Sequence, residues 1–132
     1  MSRSLVEDYY RAFNAGDYPA LLALLSDDIV HDINEGARET GRARFEAFLA
    51  RMQDSYREQL VDIVVMSDAT GAHVAAEFVV LGTYLKADAG MPPARGQSYR
   101  LPAGAFFDIR AGQITRVTTY YNLSAWLAQV SA

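Results

Sequence analysis

At 132 residues, 51% hydrophobic and 21% charged, the chain has the length of one domain and the composition of a globular protein rather than a disordered one. Twelve Lys and Arg against sixteen Asp and Glu give a net charge of −4 with neither sign gathered into a run, which argues against duplex nucleic acid or an anionic membrane as partner. The absence of cysteine excludes disulfides, thiol nucleophiles and thiolate metal sites.

Ser4-Leu5-Val6-Glu7 has the spacing of a capping box and predicts a first helix, with Leu5, Tyr9 and Phe13 on its apolar face. Asn14-Ala15-Gly16 stops it. Asp17 then caps a second short helix with Pro19 in its first turn and Leu21, Leu22, Leu24 and Leu25 buried, ending near Ser26-Asp27. Residues 29–34 predict a short extended segment, and 35–41 a glycine-containing loop. Phe45, Phe48, Leu49, Met52 and Tyr56 recur at helical spacing over 42–55. The period then changes to four long β-rich runs, 60–66, 74–85, 98–109 and 114–121, which predict an antiparallel meander. The loop 87–96, with Gly90, Pro92, Pro93 and Gly96, resists pairing and is placed to close over a pocket. Leu123, Trp126, Leu127 and Val130 fit a last helix. The order predicts an α+β domain: a curved antiparallel sheet, kinked at Gly82 or Gly104, packed on three N-terminal helices around an apolar cavity.

No apolar run approaches the roughly 20 residues of a membrane span, and MSRSLVEDYY carries acids where a secretory signal is apolar. A cytoplasmic protein is expected.

Val30-His31-Asp32-Ile33-Asn34 is the densest polar cluster near the core. In an extended segment Asp32 and Asn34 share one face and His31 lies on the other, so only one set meets the cavity. A carboxylate in an apolar cavity has a raised pKa and becomes a proton shuttle near neutral pH, which makes Asp32 the candidate base and His31 the alternative. Asx capping of the loop and a histidine bonded to a backbone carbonyl are the structural readings of the same residues. Eight tyrosines offer hydroxyls to a ligand: Tyr9 lies on the core side of the first helix, Tyr84 near the end of a long strand, and of the adjacent Tyr120 and Tyr121 one faces inward, although large aromatics chiefly fill cores. Asn122 reads as an N-cap or as an amide at the pocket mouth. His31, Asp32 and His73 lack the spacing of a zinc site, and no phosphate loop or nucleophile elbow occurs, so no metal or cofactor is expected.

Residues 8–17 (DYYRAFNAGD), Leu24-Leu25-Ser26-Asp27-Asp28 and residues 101–114 (LPAGAFFDIRAGQI) resemble ketosteroid isomerases and the wider superfamily named after nuclear transport factor two. That resemblance implies a cone-shaped (cystatin-like) barrel. Ketosteroid isomerase uses an Asp base and an oxyanion hole of a tyrosine and a protonated aspartic acid. The resemblance puts the tyrosine at Tyr9, the base at Asp32 or Ile33, and the acid at Gly104, which has no side chain to donate. Gly82-Thr83-Tyr84, the 90–96 loop and the stretch from Tyr121 to Gln129 look more like SnoaL-like polyketide cyclases, which often carry an aspartate where this chain has Asn122. By the same resemblance Phe78, Val80, Gly82, Tyr84, Phe106, Val117, Thr119 and Tyr121 line the cavity.

The sequence therefore predicts a proton-transfer enzyme of isomerase or cyclase type on an apolar carbonyl compound. Asp32 is the base, and Tyr9, aided by Asn34 or Tyr121, steadies the oxyanion. The alternative is a non-catalytic module binding a hydrophobic metabolite. Pairing through the outer sheet face, common in the superfamily, implies a homodimer.

Overall fold

The computed structural model describes residues 2–131. Helix α1 (Ser2–Ala15) is already formed two residues before the predicted capping box and buries Val6, Tyr9, Tyr10 and Ala12. Gly16, at φ +69°, ends it, and the Asp17 carboxylate caps α2 (Tyr18–Leu22) by accepting the Ala20 N–H at 3.2 Å. Strand β1 (Leu25–Asp32) starts earlier than expected and so shortens α2. The glycine loop contributes a three-residue strand, β2 (Arg38–Thr40). Helix α3 (Arg42–Ser55), which buries Phe45 and Leu49, runs straight into β3 (Tyr56–Ser67). Strands β4 (His73–Tyr84), β5 (Ser98–Arg110) and β6 (Gln113–Tyr121) precede helix α4 (Leu123–Ser131).

The six strands form one sheet in the order β2-β1-β6-β5-β4-β3. It is curved and mixed rather than wholly antiparallel: β1 lies parallel to β6, with His31 beside Val117 and Asp32 beside Thr118. Ala111 and Gly112, both at positive φ, make the two-residue turn that joins β5 to β6. The β4–β5 ladder runs in unbroken register through Gly82 and Gly104, so neither glycine is the predicted kink. The irregularities fall elsewhere, between Val61 and Val64 and between Asp108 and Ile109.

The first of these bulges decides which residues of β3 face inward. Asp62, at φ +54°, takes up the extra residue, a conformation that aspartate tolerates better than most side chains. Before it Tyr56, Glu58 and Leu60 point toward the helices; after it Ile63 and Val65 do. Strand β3 is the sheet edge, and the Asn14 side chain closes part of it like a short strand. Its Nδ2 donates to the Leu60 carbonyl and its Oδ1 accepts the Leu60 N–H, both at 2.9 Å.

Candidate functional site

Between the concave face of the sheet and the helices lies a cavity of about 330 Å³, at the small end of the range for ligand sites. Its walls are mostly apolar: Tyr9 and Tyr10 from α1, Phe45 and Phe48 from α3, Phe78 from β4 and Trp126 from α4. The polar groups that interrupt this surface are few, and they lie on different elements.

Glu58 is the carboxyl group enclosed by the cavity wall. Burial raises its pKa above the ordinary carboxylate range, while a hydrogen bond from the Tyr99 hydroxyl to Oε2, at 2.5 Å, pulls the other way. Tyr99 reaches it by lying across Gly82: a methyl group at position 82 would sit 2.2 Å from Tyr99 Cζ. Glu58 and Tyr99 both pair with Gly82, from β3 and from β5, so the missing side chain is the gap through which the phenol crosses. Glu58 also adds to the raised pKa of Tyr18 and Tyr121, which burial dominates. The sequence reading missed Glu58 and Tyr99. The available signal was parity, because Glu58 lies two residues before the apolar Leu60 on the same face of a strand.

Toward the other end of the strand order the predicted polar cluster divides as alternation requires, but with the other face inward. His31, only 5% exposed, lines the cavity with its ring 4.7 Å from Phe45 and 4.5 Å from Phe48. Burial lowers its pKa below 6.5, partly countered by Glu39 and Asp32 and reinforced by Arg51. Asp32 does not meet the cavity. Arg38 grips it through two bonds, Nε to Oδ1 at 2.6 Å and Nη2 to Oδ2 at 3.1 Å, and Thr118 donates to Oδ2 at 2.8 Å. These bonds, the Arg38 pair first, hold its pKa down at about 2, the reverse of the raised value expected of a base. Asn34 reaches the cavity because β1 ends at Asp32 and the turn through Glu35 and Gly36 breaks the alternation. Its Oδ1 accepts the Tyr121 N–H at 3.3 Å, while its buried Nδ2 has no partner among the described residues.

Tyr9, Phe78, Val80, Val117, Thr119 and Tyr121 line the cavity as expected. The Tyr9 hydroxyl carries no hydrogen bond to a described residue, and burial raises its pKa well above that of a free phenol. Four expected positions do not line it. Phe106 points outward on β5, 47% exposed and edge-on to Tyr120, because the inward residues of that strand are Ala105 and Phe107. Gly104 shares that outward parity. Tyr84 is fully buried behind the wall, stacked on Tyr56; its hydroxyl donates to the Pro92 carbonyl at 2.6 Å and accepts the Asp88 N–H at 3.0 Å, fastening the 85–97 loop. Asn122 caps α4, its Oδ1 accepting the Ala125 N–H at 3.0 Å, and Gly82 lies under Tyr99. The loop does reach the cavity: Asp88 and Met91 form part of its wall, and the Tyr56 hydroxyl donates to Asp88 Oδ2 at 3.0 Å. Among the described residues no three His, Cys, Asp or Glu side chains gather as metal ligands, and no helix is long and apolar enough to cross a membrane.

The SnoaL-like domain family matches residues 6–117. The chain is similar to the crystal structure of a provisionally named polyketide cyclase from Pseudomonas putida KT2440. The two are 59% identical with a TM-score of 0.97, covering 98% of each chain. It is similar also to a protein of the same provisional name from Xanthomonas campestris pv. campestris, 60% identical with a TM-score of 0.95 over 98% of this chain and 96% of that one. An NTF2-like protein from Burkholderia xenovorans LB400, 18% identical with a TM-score of 0.78 over 99% and 95% of the two chains, shares the fold alone. No curated protein matches. The chain belongs to the SnoaL-like domain family.

Proposed function

We propose that the protein is an acid–base catalyst acting on a small, largely apolar carbonyl compound, with Glu58 as the group that moves the proton. The observation that carries this reading is a buried carboxyl in the wall of an apolar cavity, its pKa raised by burial and its orientation fixed by Tyr99. In the proposed step Glu58 takes a proton from the carbon beside a carbonyl, the electron pair moves onto the carbonyl oxygen, and the resulting enolate is steadied by phenol hydroxyls. Tyr121 at the cavity mouth, within the field of Glu58, and Tyr9 are the donors. Returning the proton to another carbon isomerises the substrate. Attack of the enolate on a second carbonyl, whose oxygen then takes the proton from Glu58, closes a ring. The provisional name of the two close relatives supports the second outcome.

The test is solvent deuterium exchange into the methyl group of 2-acetylnaphthalene and the α-carbons of a panel of β-keto compounds. Exchange that Glu58→Gln abolishes and Asp32→Asn leaves intact supports the reading; equal exchange by wild type and Glu58→Gln removes it. Binding without any exchange would instead identify a carrier of apolar metabolites. The same proposal includes a homodimer through the outer sheet face, where Val64, Met66, Leu81, Phe106 and Tyr120 are exposed. A monomeric mass by light scattering at micromolar concentration would refute that part.

A further inference from the structure

A buried histidine ordinarily donates one ring N–H to a backbone carbonyl. His31 does not. Its Nδ1 is shut away from the cavity with no partner, and its other nitrogen, Nε2, bonds to none of the described residues. Phe45 and Phe48 fix the ring plane between them, so the imidazole cannot swing out to find water without leaving its packing. Orphaned buried N–H groups are rarer than under-satisfied acceptors, so the proton belongs on Nε2 and the bare lone pair on Nδ1. The accessible edge of the ring then carries a donor, and the ring borders the cavity. Strand β1, which carries His31, and β3, which carries Glu58, lie on opposite sides of the sheet order with β6, β5 and β4 between them. The cavity thus meets His31 from one flank of the sheet order and Glu58 from the other.

We infer that His31 is a ligand-binding residue that donates its Nε2–H to an oxygen acceptor of the bound molecule, so the preferred ligands carry a second carbonyl (ketone, ester or quinone) at the α3 end. This rests on the reading of the cavity as a small-molecule site, but not on Glu58 being a base. Arg51, also on α3, has its guanidinium 5.4 Å from the Phe48 ring centroid and borders the cavity beside this end, which adds positive potential where the acceptor would sit.

Long-range proton–nitrogen correlation on histidine-labelled wild type should show His31 protonated at Nε2, and a proton on Nδ1 would overturn the inference. Titration calorimetry with 2-acetylnaphthalene and 2,6-diacetylnaphthalene then reads the subsite directly. Wild type should bind the diketone roughly five- to tenfold more tightly, the worth of one net hydrogen bond. His31→Phe should erase that preference while Glu58→Gln keeps it, whether or not Glu58→Gln has lost exchange activity. Persistence of the preference in His31→Phe would overturn the inference. If that variant does not fold, the His31 Nε2 resonance of wild type decides: a shift with the diketone that exceeds the shift with the monoketone supports the subsite, and equal shifts refute it.

Discussion

The Tyr99 hydroxyl donates to Glu58 Oε2 at 2.5 Å by passing over a position that has no side chain, so two residues 41 apart in sequence meet across the width of the strand between them. The bond satisfies one lone pair of an enclosed carboxyl and fixes where the other oxygen points.

Replacing Gly82 with alanine should break this arrangement. The added methyl would stand 2.2 Å from Tyr99 Cζ, and the ring must rotate away, giving up both its packing and its bond. A loss of about 1–3 kcal/mol in urea unfolding is expected. Unchanged stability together with an intact Tyr99 bond would show that the sheet can open at this point.

Tyr99→Phe keeps the ring and removes only the donor. That bond lowers the Glu58 pKa against burial, so without it the pKa rises further. If the ionised carboxylate is the working form, the acid limb of the pH–rate profile should move to higher pH than in wild type. The stability sign follows the same group. A carboxyl whose folded pKa lies above its unfolded value adds stability that is complete below the unfolded pKa and disappears as pH rises through the folded one. Glu58→Gln should therefore flatten stability against pH over that interval, as followed by thermal melts across the pH range.

Asp32 behaves oppositely. Its folded pKa of about 2 lies below the ordinary value of 3.8, so the stability it confers is present above the unfolded pKa and is lost as pH falls toward 2. The pair is solvent-accessible, with the Arg38 side chain 61% exposed, so screening holds its contribution to about 1 kcal/mol or less. Asp32→Asn should lower unfolding stability at pH 7 by that small amount and leave deuterium exchange untouched. A large loss of exchange would return this residue to the reaction.

Asn14→Ala removes two bonds at once and leaves the Leu60 N–H and carbonyl without their partner on an edge strand. A loss of about 2–3 kcal/mol is expected in chemical denaturation, with faster amide exchange at Leu60 than at Val80, which lies one strand further in.

Helices α2, α3 and α4 and the β5–β6 hairpin were legible because each is announced locally: Asp17 before a leucine-rich turn, apolar residues at helical spacing on α3, and Ala111-Gly112 between alternating runs. The parallel partnership of β1 with β6 was not, since it joins residues some 86 apart and leaves no local mark. The site was half legible. Alternation placed His31 and Asp32 on opposite faces, but which face meets the cavity depended on Arg38 and Arg116 waiting outside for the carboxylate, a tertiary fact. Glu58 escaped notice because β3 begins at Tyr56, four residues before the apolar run that signals it, and the polar stretch between reads as a connection. Phe106 and Gly104 were placed inward through resemblance to a family motif, whereas the parity of β5 puts Ala103, Ala105 and Phe107 there.

The extra residue at Asp62 gives β3 two different countings. Upstream of it even-numbered residues line the cavity, downstream odd-numbered ones pack against the core. Straightening the strand there, with every residue kept, would force a single counting on its whole length. Keeping Ile63 and Val65 inside would then turn Gln59 inward and swing Glu58 out to solvent, exchanging an acid for an amide without altering either codon. The identity of the group that greets the ligand is thus a matter of where the strand takes up its extra residue as much as of substitution.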